Sequence, residues 1–359
     1  MILMTLAKRI MHRYLLLLLL LTTLNGCASL KYYSQAVGGE LSVLAHARPI
    51  SEVIDDPKTT PELKTKLTHL QAMREFAVHE LALPDNLSYR RYTDLGRSAA
   101  MWNVFATPEL SLEPKKWCVL IAGCMSYHSY FANADAEREA EQLRRDGYDV
   151  YVGGVTAYST AGWFDDPVLN TMLAYAEPEL AGILFHELGH QKLYVPDDTA
   201  LNESFATTVE REGVRRWLAA QNAQIDYGTY LERAKRYEAF TALVMQYRAR
   251  LQTLYESTAS DADKRTGKRD LFDALRRDYV QWKMEWKGYA GYDRWIENVN
   301  NARFLSIGLY HGYIPAFEAL LAREHGDLPA FYRAAQALAR EPKEIRARRL
   351  TELAGQSAK

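Results

Sequence analysis

Two histidines four residues apart, His186 and His190, stand on either side of a glutamate in the segment His-Glu-Leu-Gly-His. Residues four apart on an α-helix share one face, so the two imidazoles can bind a single metal ion together. Glu187 then lies beside that ion, where its carboxylate can take up and release a proton. This pattern is typical of zinc peptidases.

The same pattern also fits an ordinary amphipathic helix that carries two surface histidines. Its surroundings favour the metal site, because a buried histidine pair beside a glutamate is costly unless something organises it. Gly189 costs roughly 1 kcal/mol against alanine in a helix interior, so a glycine there predicts close packing by another element. The flanking residues that predict burial of the helix are Leu180, Ile183, Leu184 and Leu188.

A second helix is predicted directly after the first one. Pro196 interrupts the first helix, and Asp198 is suited to cap a new N-terminus. Glu203 and Glu210 lie seven residues apart on this second helix and share a face. We expect Glu203 to be the third metal ligand, and Glu210 and Asn202 to support the ligands without touching the metal. A solvated acidic face is the alternative for both glutamates.

The two segments together resemble the gluzincin metallopeptidases. The segment Leu-Asn-Glu-Ser-Phe-Ala at 201–206 is similar to the Leu-Asn-Glu-Gly-Phe-Ala signature of zinc aminopeptidases. The loop between His190 and Glu203 is shorter than in those enzymes. This shorter loop, with segments 117–124 and 151–167, resembles a smaller bacterial family called predicted aminopeptidases. The resemblance covers most of the chain after its N-terminal segment.

Two other metal-site families fit these residues less well. A metzincin would have a glycine and a third histidine after His190, where this chain has Leu193 and Pro196. An aspzincin would use an aspartate, for which Asp197 or Asp198 would have to serve. The match at 201–206 argues against that second alternative.

The resemblance implies one zinc ion, held by His186, His190 and Glu203. Three protein ligands leave one position for water, and zinc lowers the pKa of that water toward about 7. Glu187 would take the water proton and pass it to the leaving amine. The implied activity is hydrolysis of peptide bonds, with aminopeptidase action as the family name suggests.

Two further groups are expected from such enzymes. A tyrosine or histidine usually donates a hydrogen bond to the developing oxyanion; Tyr310 is our candidate, near His311 and Tyr313, with a packing role as the alternative. An aminopeptidase must also hold the free amine of its substrate, usually with a carboxylate. Asp165 and Asp166 can serve there, or can be turn residues before a proline.

The N-terminal segment predicts a lipoprotein signal peptide at 1–26. It has a basic start, a short apolar run at 15–21, and a small residue before Cys27. Lipid on Cys27 would tether the protein to a membrane. Ala28 follows where sorting signals for the inner membrane have aspartate, so we expect the outer membrane, with the protein facing the periplasm. An uncleaved anchor helix is the alternative.

Net charge and composition limit the classes of binding partner that can be expected. The chain has 359 residues and a net charge of −1, which offers no electrostatic case for nucleic acid. The expected partners are therefore a peptide or protein substrate and, through Cys27, a membrane. The 23 tyrosines and 7 tryptophans suit a well-filled core and an aromatic substrate groove.

Cys118 and Cys124 are the cysteines that remain if Cys27 carries lipid. An oxidising periplasm allows a disulfide between them. A straight strand would separate their Cα atoms by roughly 20 Å, whereas a bridge needs about 7 Å or less. A bridge therefore requires a bend, which Gly123 can provide, and the pairing stays open at this point.

The sequence predicts an α+β fold that is mostly helical. A small sheet is expected before the metal-binding helices and a helical lobe after them, with the cleft between, which resembles the gluzincin plan. We expect an edge strand at 151–158 to pair with the substrate backbone. One zinc peptidase domain is predicted over 27–359, and its three parts are 27–180, 181–219 and 220–359.

Individual elements follow from periodicity and from turn residues. The strand at 148–152 is expected to end at the two glycines that follow it, and 155–170 to be loop. The other strands are predicted at 89–92, 101–106 and 117–122. Helices are predicted at 32–46, 60–80, 133–145, 230–258, 262–286, 296–310, 315–324 and 328–340.

A second class of function also fits the sequence. A zinc-binding chaperone-like or scaffolding lipoprotein would take up metal with little turnover, and a purely structural lipoprotein would bind none. Glu187 disfavours the last, because a structural helix has no need of it. Endopeptidase action also stays open.

Overall fold

Helices make up most of the chain, and the strands precede the helix that carries His186 and His190. The computed structural model describes residues 32–119, 123–157, 160, 164–196, 198–222, 224–308 and 312–357. Across these residues the mostly helical α+β fold predicted from the sequence is confirmed. None of the described helices is both long and apolar enough to cross a membrane. Cys27 lies outside the described residues.

The elements before the metal-binding helices are short. The helices are α1 (32–45), α2 (Ile50–Asp55), α3 (Pro61–His79) and α4 (Asn133–Arg145). The strands are β1 (Arg48–Pro49), β2 (Arg91–Thr93), β3 (Met101–Pro108), β4 (Trp117–Val119), β5 (Gly123–Met125), β6 (His128–Tyr130), β7 (Tyr148–Val155) and β8 (Val168–Leu169).

Long helices form the rest of the molecule. The two predicted metal-binding helices are α5 (Glu177–Lys192) and α6 (Thr199–Ala220). They are followed by α7 (Gln224–Glu256), α8 (Asp261–Glu285), α9 (Asp293–Glu297), α10 (Asn301–Gly308), α11 (Ile314–Arg323), α12 (Leu328–Ala339) and α13 (Lys343–Ser357).

The sheet nearest the site is antiparallel, with the order β6–β3–β7. β7 is therefore an edge strand, as predicted for this region, although Tyr158 lies outside the described residues. The predicted end of this strand at its glycines was wrong. Gly153 pairs with Asn103, Gly154 pairs with Trp102, and the strand continues beyond both. Pairing along the whole length of β3 outweighs the weak strand propensity of glycine.

The helical lobe differs from its prediction at one internal break. The single helix expected at 296–310 is two helices, α9 and α10. Asn300 ends the connection between them, because its side-chain Oδ1 accepts a hydrogen bond from the backbone N–H of Arg303 at 3.1 Å. Asparagine is a strong helix N-cap and starts a new helix there. The short α2 and the charged α13 were not predicted.

The hairpin of β4 and β5 places Cys118 opposite Cys124, with their Cα atoms 3.9 Å apart. Their sulfurs are joined in a disulfide. The strand predicted at 117–122 is described at 117–119, as β4, and the antiparallel pairing of β4 with β5 brings the two cysteines together as a bridge requires. Residues 120–122 lie outside the described part.

Two apolar cores meet at the cleft. The first packs α5 and α6 against α3, α11 and α12, and Phe185 and Phe205 are fully buried in it. The second joins α7, α8 and α10 around Phe240 and Phe304, which are also buried. The cavity beside His186 is lined by the sheet and by the helical lobe, between which the sequence predicted the cleft.

A buried salt bridge fastens the start of α6 to the C-terminal helix. Asp198 Oδ1 accepts from the backbone N–H of Leu201 at 3.3 Å, which confirms Asp198 as the cap of α6. Its Oδ2 accepts from Arg346 Nε at 3.1 Å and Nη2 at 2.6 Å. Arg346 also donates to the carbonyl oxygens of Ala339 and Glu341. The helix that carries Glu203 is thus held at its first turn by α13.

We expect the substitution Arg346→Met to lower the free energy of unfolding by about 3–5 kcal/mol, because it leaves the Asp198 carboxylate buried without its partner. Urea denaturation followed by circular dichroism measures this change. Arg348→Met on the same helix is the control, because the Arg348 side chain is 66% exposed. A loss for Arg346→Met no larger than for Arg348→Met would contradict the expectation.

Candidate metal centre

Glycines on α5 allow α6 to approach it closely. A Cβ atom added at Gly189 would lie 3.3 Å from the Ala206 Cα atom. A Cβ atom added at Gly182 would lie 3.2 Å from the Glu210 Oε1 atom. Both contacts are tight, so a larger side chain at Gly189 would press on the backbone of α6, and one at Gly182 would displace the Glu210 carboxylate. The close packing predicted from Gly189 is confirmed. The lack of a side chain at Gly182 leaves space for the Glu210 carboxylate.

Three side chains from these helices converge on one point. The Nε2 atom of His186 lies 3.2 Å from Glu203 Oε2 and 3.2 Å from His190 Nε2. Glu203 Oε1 lies 3.6 Å from His190 Nε2. One ligand atom from each residue can be chosen so that all lie within 4.8 Å of one another. The structure thus brings together the ligand set predicted from the sequence.

Glu210 supports this group from two turns further along α6. The Nδ1–H group of His186 donates to Glu210 Oε2 at 3.0 Å, and the Tyr230 hydroxyl donates to Glu210 Oε1 at 3.0 Å. A carboxylate can only accept, so the hydrogen of the first bond belongs to His186 Nδ1. The Nε2 lone pair of His186 is then free to face Glu203 and His190.

The residues fit a bound metal cation. Two imidazole nitrogens and a carboxylate face each other at 3.2–3.6 Å, which is stabilising when a proton or a metal cation lies among them. Tetrahedral zinc with ligand bonds of about 2.0–2.1 Å holds its ligand atoms about 3.3 Å apart. The separations among His186, His190 and Glu203 match that spacing. Two imidazoles and one carboxylate are also a donor set that zinc accepts.

The pKa values of His186 and Glu203 also indicate that this group favours a positive charge. Burial lowers the pKa of His186, but hydrogen bonds with Glu203 and Glu210 outweigh it and raise that pKa well above its usual value. Burial raises the pKa of Glu203, but hydrogen bonds with His186 and His190 bring it well below its usual range. The carboxylates therefore favour positive charge at the His186 imidazole, and a proton and a metal ion compete for it.

The pKa of Glu187 is shifted in the direction opposite to that of Glu203. Burial raises the pKa of its carboxyl group, and the nearby charge of Glu203 adds to this, while His186 and His190 oppose it. The net pKa lies above its usual value. A carboxylate that binds a proton readily in this position suits transfer of a proton between two reacting groups.

The metal group opens into a cavity of about 780 Å³ between the sheet and the helical lobe. The cavity includes β7 and the residues just after it, together with helices from both apolar cores. Its described lining comprises Met101, Asn103, Phe105, Tyr127, Ser129, Tyr151, Gly153, Gly154, Val155, Thr156, Ala157, His186, Glu187, His190, Tyr194, Thr199, Asn202, Glu203, Tyr237, Phe240, Gly291, Tyr292, Trp295, Ser306 and Ile307.

Asn202 takes a different role from the one predicted. Its side-chain oxygen accepts from the Val195 N–H, and its side-chain nitrogen donates to the Val195 carbonyl, both at 2.8 Å. These bonds hold the loop between α5 and α6 to the first turn of α6. Asn202 therefore orders the loop that joins the ligand helices, and the structure shows no bond from its amide to a ligand side chain.

The carboxylates proposed to hold a substrate amine do not line the described cavity. Asp166 is buried and accepts hydrogen bonds from the backbone N–H and the hydroxyl of Thr160, at 2.9 and 2.8 Å. Asp165 is exposed. The structure therefore favours the alternative that both belong to a turn.

Tyr310 and His311 lie outside the described residues. Tyr313 is described, and its backbone N–H donates to Ser204 Oγ at 3.1 Å, which ties α11 to α6. Helix α7 supplies two further tyrosines of the site. Tyr230 contacts Glu210, and Tyr237 lines the cavity beside Glu187 and Glu203.

Sequence reasoning missed this α7 pair, although a signal for it exists. Tyr230 and Tyr237 are seven residues apart and share one face of α7, as Glu203 and Glu210 do on α6. Nothing in the sequence shows that this face of α7 turns toward the metal group.

Comparison with known proteins adds one result to this geometry. No curated protein and no solved structure matches the chain. The sequence profile of the family described as "Putative aminopeptidase" matches residues 31–350, which is most of the chain. The protein with this His186, His190 and Glu203 group therefore belongs to the putative aminopeptidase family.

Proposed function

We propose that this protein is a zinc-dependent peptidase of the gluzincin type, with one zinc ion held by His186, His190 and Glu203. Convergence of these ligand atoms beside Glu187, in the lining of a cavity of about 780 Å³, is the observation that supports the proposal most. Membership of the aminopeptidase family supports a peptidase-like activity independently. Aminopeptidase action is the form we favour.

Each residue of the group has its own part in hydrolysis. Zinc bound there would polarise the scissile carbonyl and lower the pKa of water toward about 7. Glu187 takes a proton from the attacking water on its carboxylate and delivers it to the leaving amine nitrogen as the C–N bond breaks. Glu210 orients the His186 ring through Nδ1, so that Nε2 keeps its lone pair toward the metal position.

Tyr237 is the residue we propose as the hydrogen-bond donor to the developing oxyanion. Burial raises the pKa of its hydroxyl, and the charges of Glu210 and Glu203 add to this, so the group stays protonated. We expect Tyr237→Phe to lower kcat by about 10²–10³ with little change in zinc content. Steady-state kinetics with zinc analysis measures this, and Tyr194→Phe, in the same cavity, is the control. Equal losses for the two variants would contradict the role.

Glu210 gives a second expectation for the same site. Glu210→Gln replaces the carboxylate at His186 Nδ1 with an amide of similar size. We expect zinc affinity to fall about 10–100-fold, as is usual when the partner of a histidine ligand is changed. Competition with a chelator of known affinity measures the change. The exposed-face variant Glu232→Gln is the control, and unchanged affinity for Glu210→Gln would exclude the supporting role.

The edge strand β7 is the position we propose for the substrate backbone. Gly153, Gly154 and Val155 line the cavity together with Glu187. An extended peptide can add to such a strand through main-chain hydrogen bonds.

We also propose attachment of the protein to the outer membrane, through lipid on Cys27 and facing the periplasm. The basic start, the apolar run at 15–21 and the small residue before Cys27 support it. Metabolic labelling with a clickable fatty acid, comparing the full chain with Cys27→Ala, tests this point. Label that persists in Cys27→Ala would rule it out.

The decisive experiment on function combines metal analysis with peptide cleavage. The purified full chain should bind about one zinc and cleave unblocked peptides, with products identified by mass spectrometry. Release of single N-terminal residues identifies an aminopeptidase, and internal cuts in N-acetylated peptides identify an endopeptidase. Zinc uptake without cleavage would favour a chaperone-like or scaffolding protein instead. Absence of zinc would overturn the proposal.

A further inference from the structure

One wall of the site cavity is aromatic and apolar. Phe240 comes from α7, Tyr292 precedes α9, Trp295 lies in α9, and Ile307 lies in α10. All four line the same cavity as the metal ligands. We call these four residues the aromatic wall.

The aromatic wall is built as a rigid surface. The rings of Phe240 and Tyr292 are stacked, with centroids 4.0 Å apart and planes 3° apart. Trp295 packs edge-to-face on Phe240 at 5.3 Å and on Phe304 at 5.8 Å. A surface already packed in this way does not have to be ordered when a ligand binds, so contact with it is favourable.

The acidic and basic side chains of the described lining belong to the metal site. They are the ligands His186, His190 and Glu203, and the neighbouring Glu187. Of the described lining residues at the aromatic wall, none offers a lysine or glutamate side chain of a bound peptide a partner of opposite charge in exchange for the water it would lose. A large apolar side chain would instead gain from leaving water.

We propose that the aromatic wall is a specificity subsite, which takes a bulky apolar or aromatic side chain of the peptide held in the cavity. The proposal rests on the peptidase function proposed above. A cavity of about 780 Å³ has the size of ordinary ligand sites and accommodates a short peptide segment. The substrate class is therefore peptides with phenylalanine, tryptophan or leucine, in preference to charged residues.

Peptide binding tests the subsite separately from catalysis. The probes are the peptides Ala-Xaa-Ala-Ala-amide with phenylalanine, leucine, alanine, lysine or glutamate at the variable position. Isothermal titration uses the zinc-loaded full chain carrying Glu187→Gln, so that the peptides are not consumed. We expect the phenylalanine and leucine peptides to bind at least tenfold more tightly than the lysine and glutamate peptides. Affinities within twofold of each other would overturn the proposal.

Two tryptophans of the same core provide a matched pair of variants. Trp295 lines the cavity, whereas Trp282 packs against the same core and does not line the described cavity. Added to Glu187→Gln, Trp295→Leu should remove most of the preference for phenylalanine over alanine, and Trp282→Leu should keep it. Equal effects of both variants would overturn the subsite. Ile307→Ala is the milder change in the aromatic wall, for use if Trp295→Leu does not fold.

Cleavage assays on the wild-type chain separate this inference from the proposed function. Selective binding without any cleavage would remove the peptidase proposal and leave the apolar subsite in place. Cleavage of charged and apolar peptides at equal kcat/KM, with equal binding, would remove the apolar subsite and leave the peptidase proposal in place. Preference for apolar peptides in both assays supports both proposals.

Discussion

Replacement of Glu187 by glutamine is expected to lower kcat for peptide hydrolysis by about 10²–10⁴, with about one zinc still bound per chain. Glutamine has nearly the same size as glutamate but takes up no proton at neutral pH. The substitution therefore removes the proton acceptor for the attacking water and leaves His186, His190 and Glu203 intact. Burial already raises the pKa of Glu187, which shows that its surroundings favour a bound proton.

The measurement is kcat on a cleaved peptide, made beside zinc analysis of the same preparation. Glu177→Gln is the control, because Glu177 lies in the first turn of the same helix, far from the ligands in sequence. That variant should keep both zinc and activity. Full activity in Glu187→Gln would exclude Glu187 as the proton carrier. Loss of zinc together with activity would instead place Glu187 in metal retention.

Replacement of His190 by alanine is expected to remove zinc and activity together. His190 Nε2 lies 3.2 Å from His186 Nε2, so its loss leaves two ligand side chains to hold the ion. The loss in zinc affinity should exceed the 10–100-fold that follows from changing a partner of a ligand. Zinc should also stop raising the melting temperature of the variant, because binding to the folded state is the source of that stabilisation.

His128→Ala is the matched control for this second prediction. His128 is also buried, and its Nδ1 atom lies 2.9 Å from Glu139 Oε2, in a pair separate from the metal group. Its loss should lower thermal stability and leave zinc binding intact. Zinc retained in His190→Ala, or lost equally in His128→Ala, would contradict the ligand assignment. Differential scanning fluorimetry with and without zinc gives both readings.

Elements with local signals could be predicted to within a few residues. The helix opened by Thr60 and Pro61 begins there because both act within the first turn. The predictions failed where a contact outside the element decided its extent. β7 runs past its glycines because β3 pairs with them, and the helix at 296–310 is divided at Asn300, whose side-chain nitrogen donates to the Val150 carbonyl of β7.

The site residues also divide into those with a local sequence signal and those placed by long-range packing. His186, Glu187 and His190 could be predicted because one helix turn sets their spacing, and Glu203 because its segment resembles a known signature. Tyr237 was missed, since α7 begins well after the ligands in sequence. The periodicity of α7 does not show which of its faces packs against the site. Helical phase shows which side of a helix is apolar, but it leaves open which element packs against that side.

The sequence by itself therefore determined the ligand types, their spacing and the mostly helical α+β class, because these depend on short-range backbone geometry. Only the tertiary structure decided three further features. It packed α6 onto Gly189, so that Glu203 meets the two histidines. It brought Tyr230 to Glu210, and it closed the cavity with the aromatic wall. Each of these depends on packing between residues distant in sequence, which local periodicity does not encode.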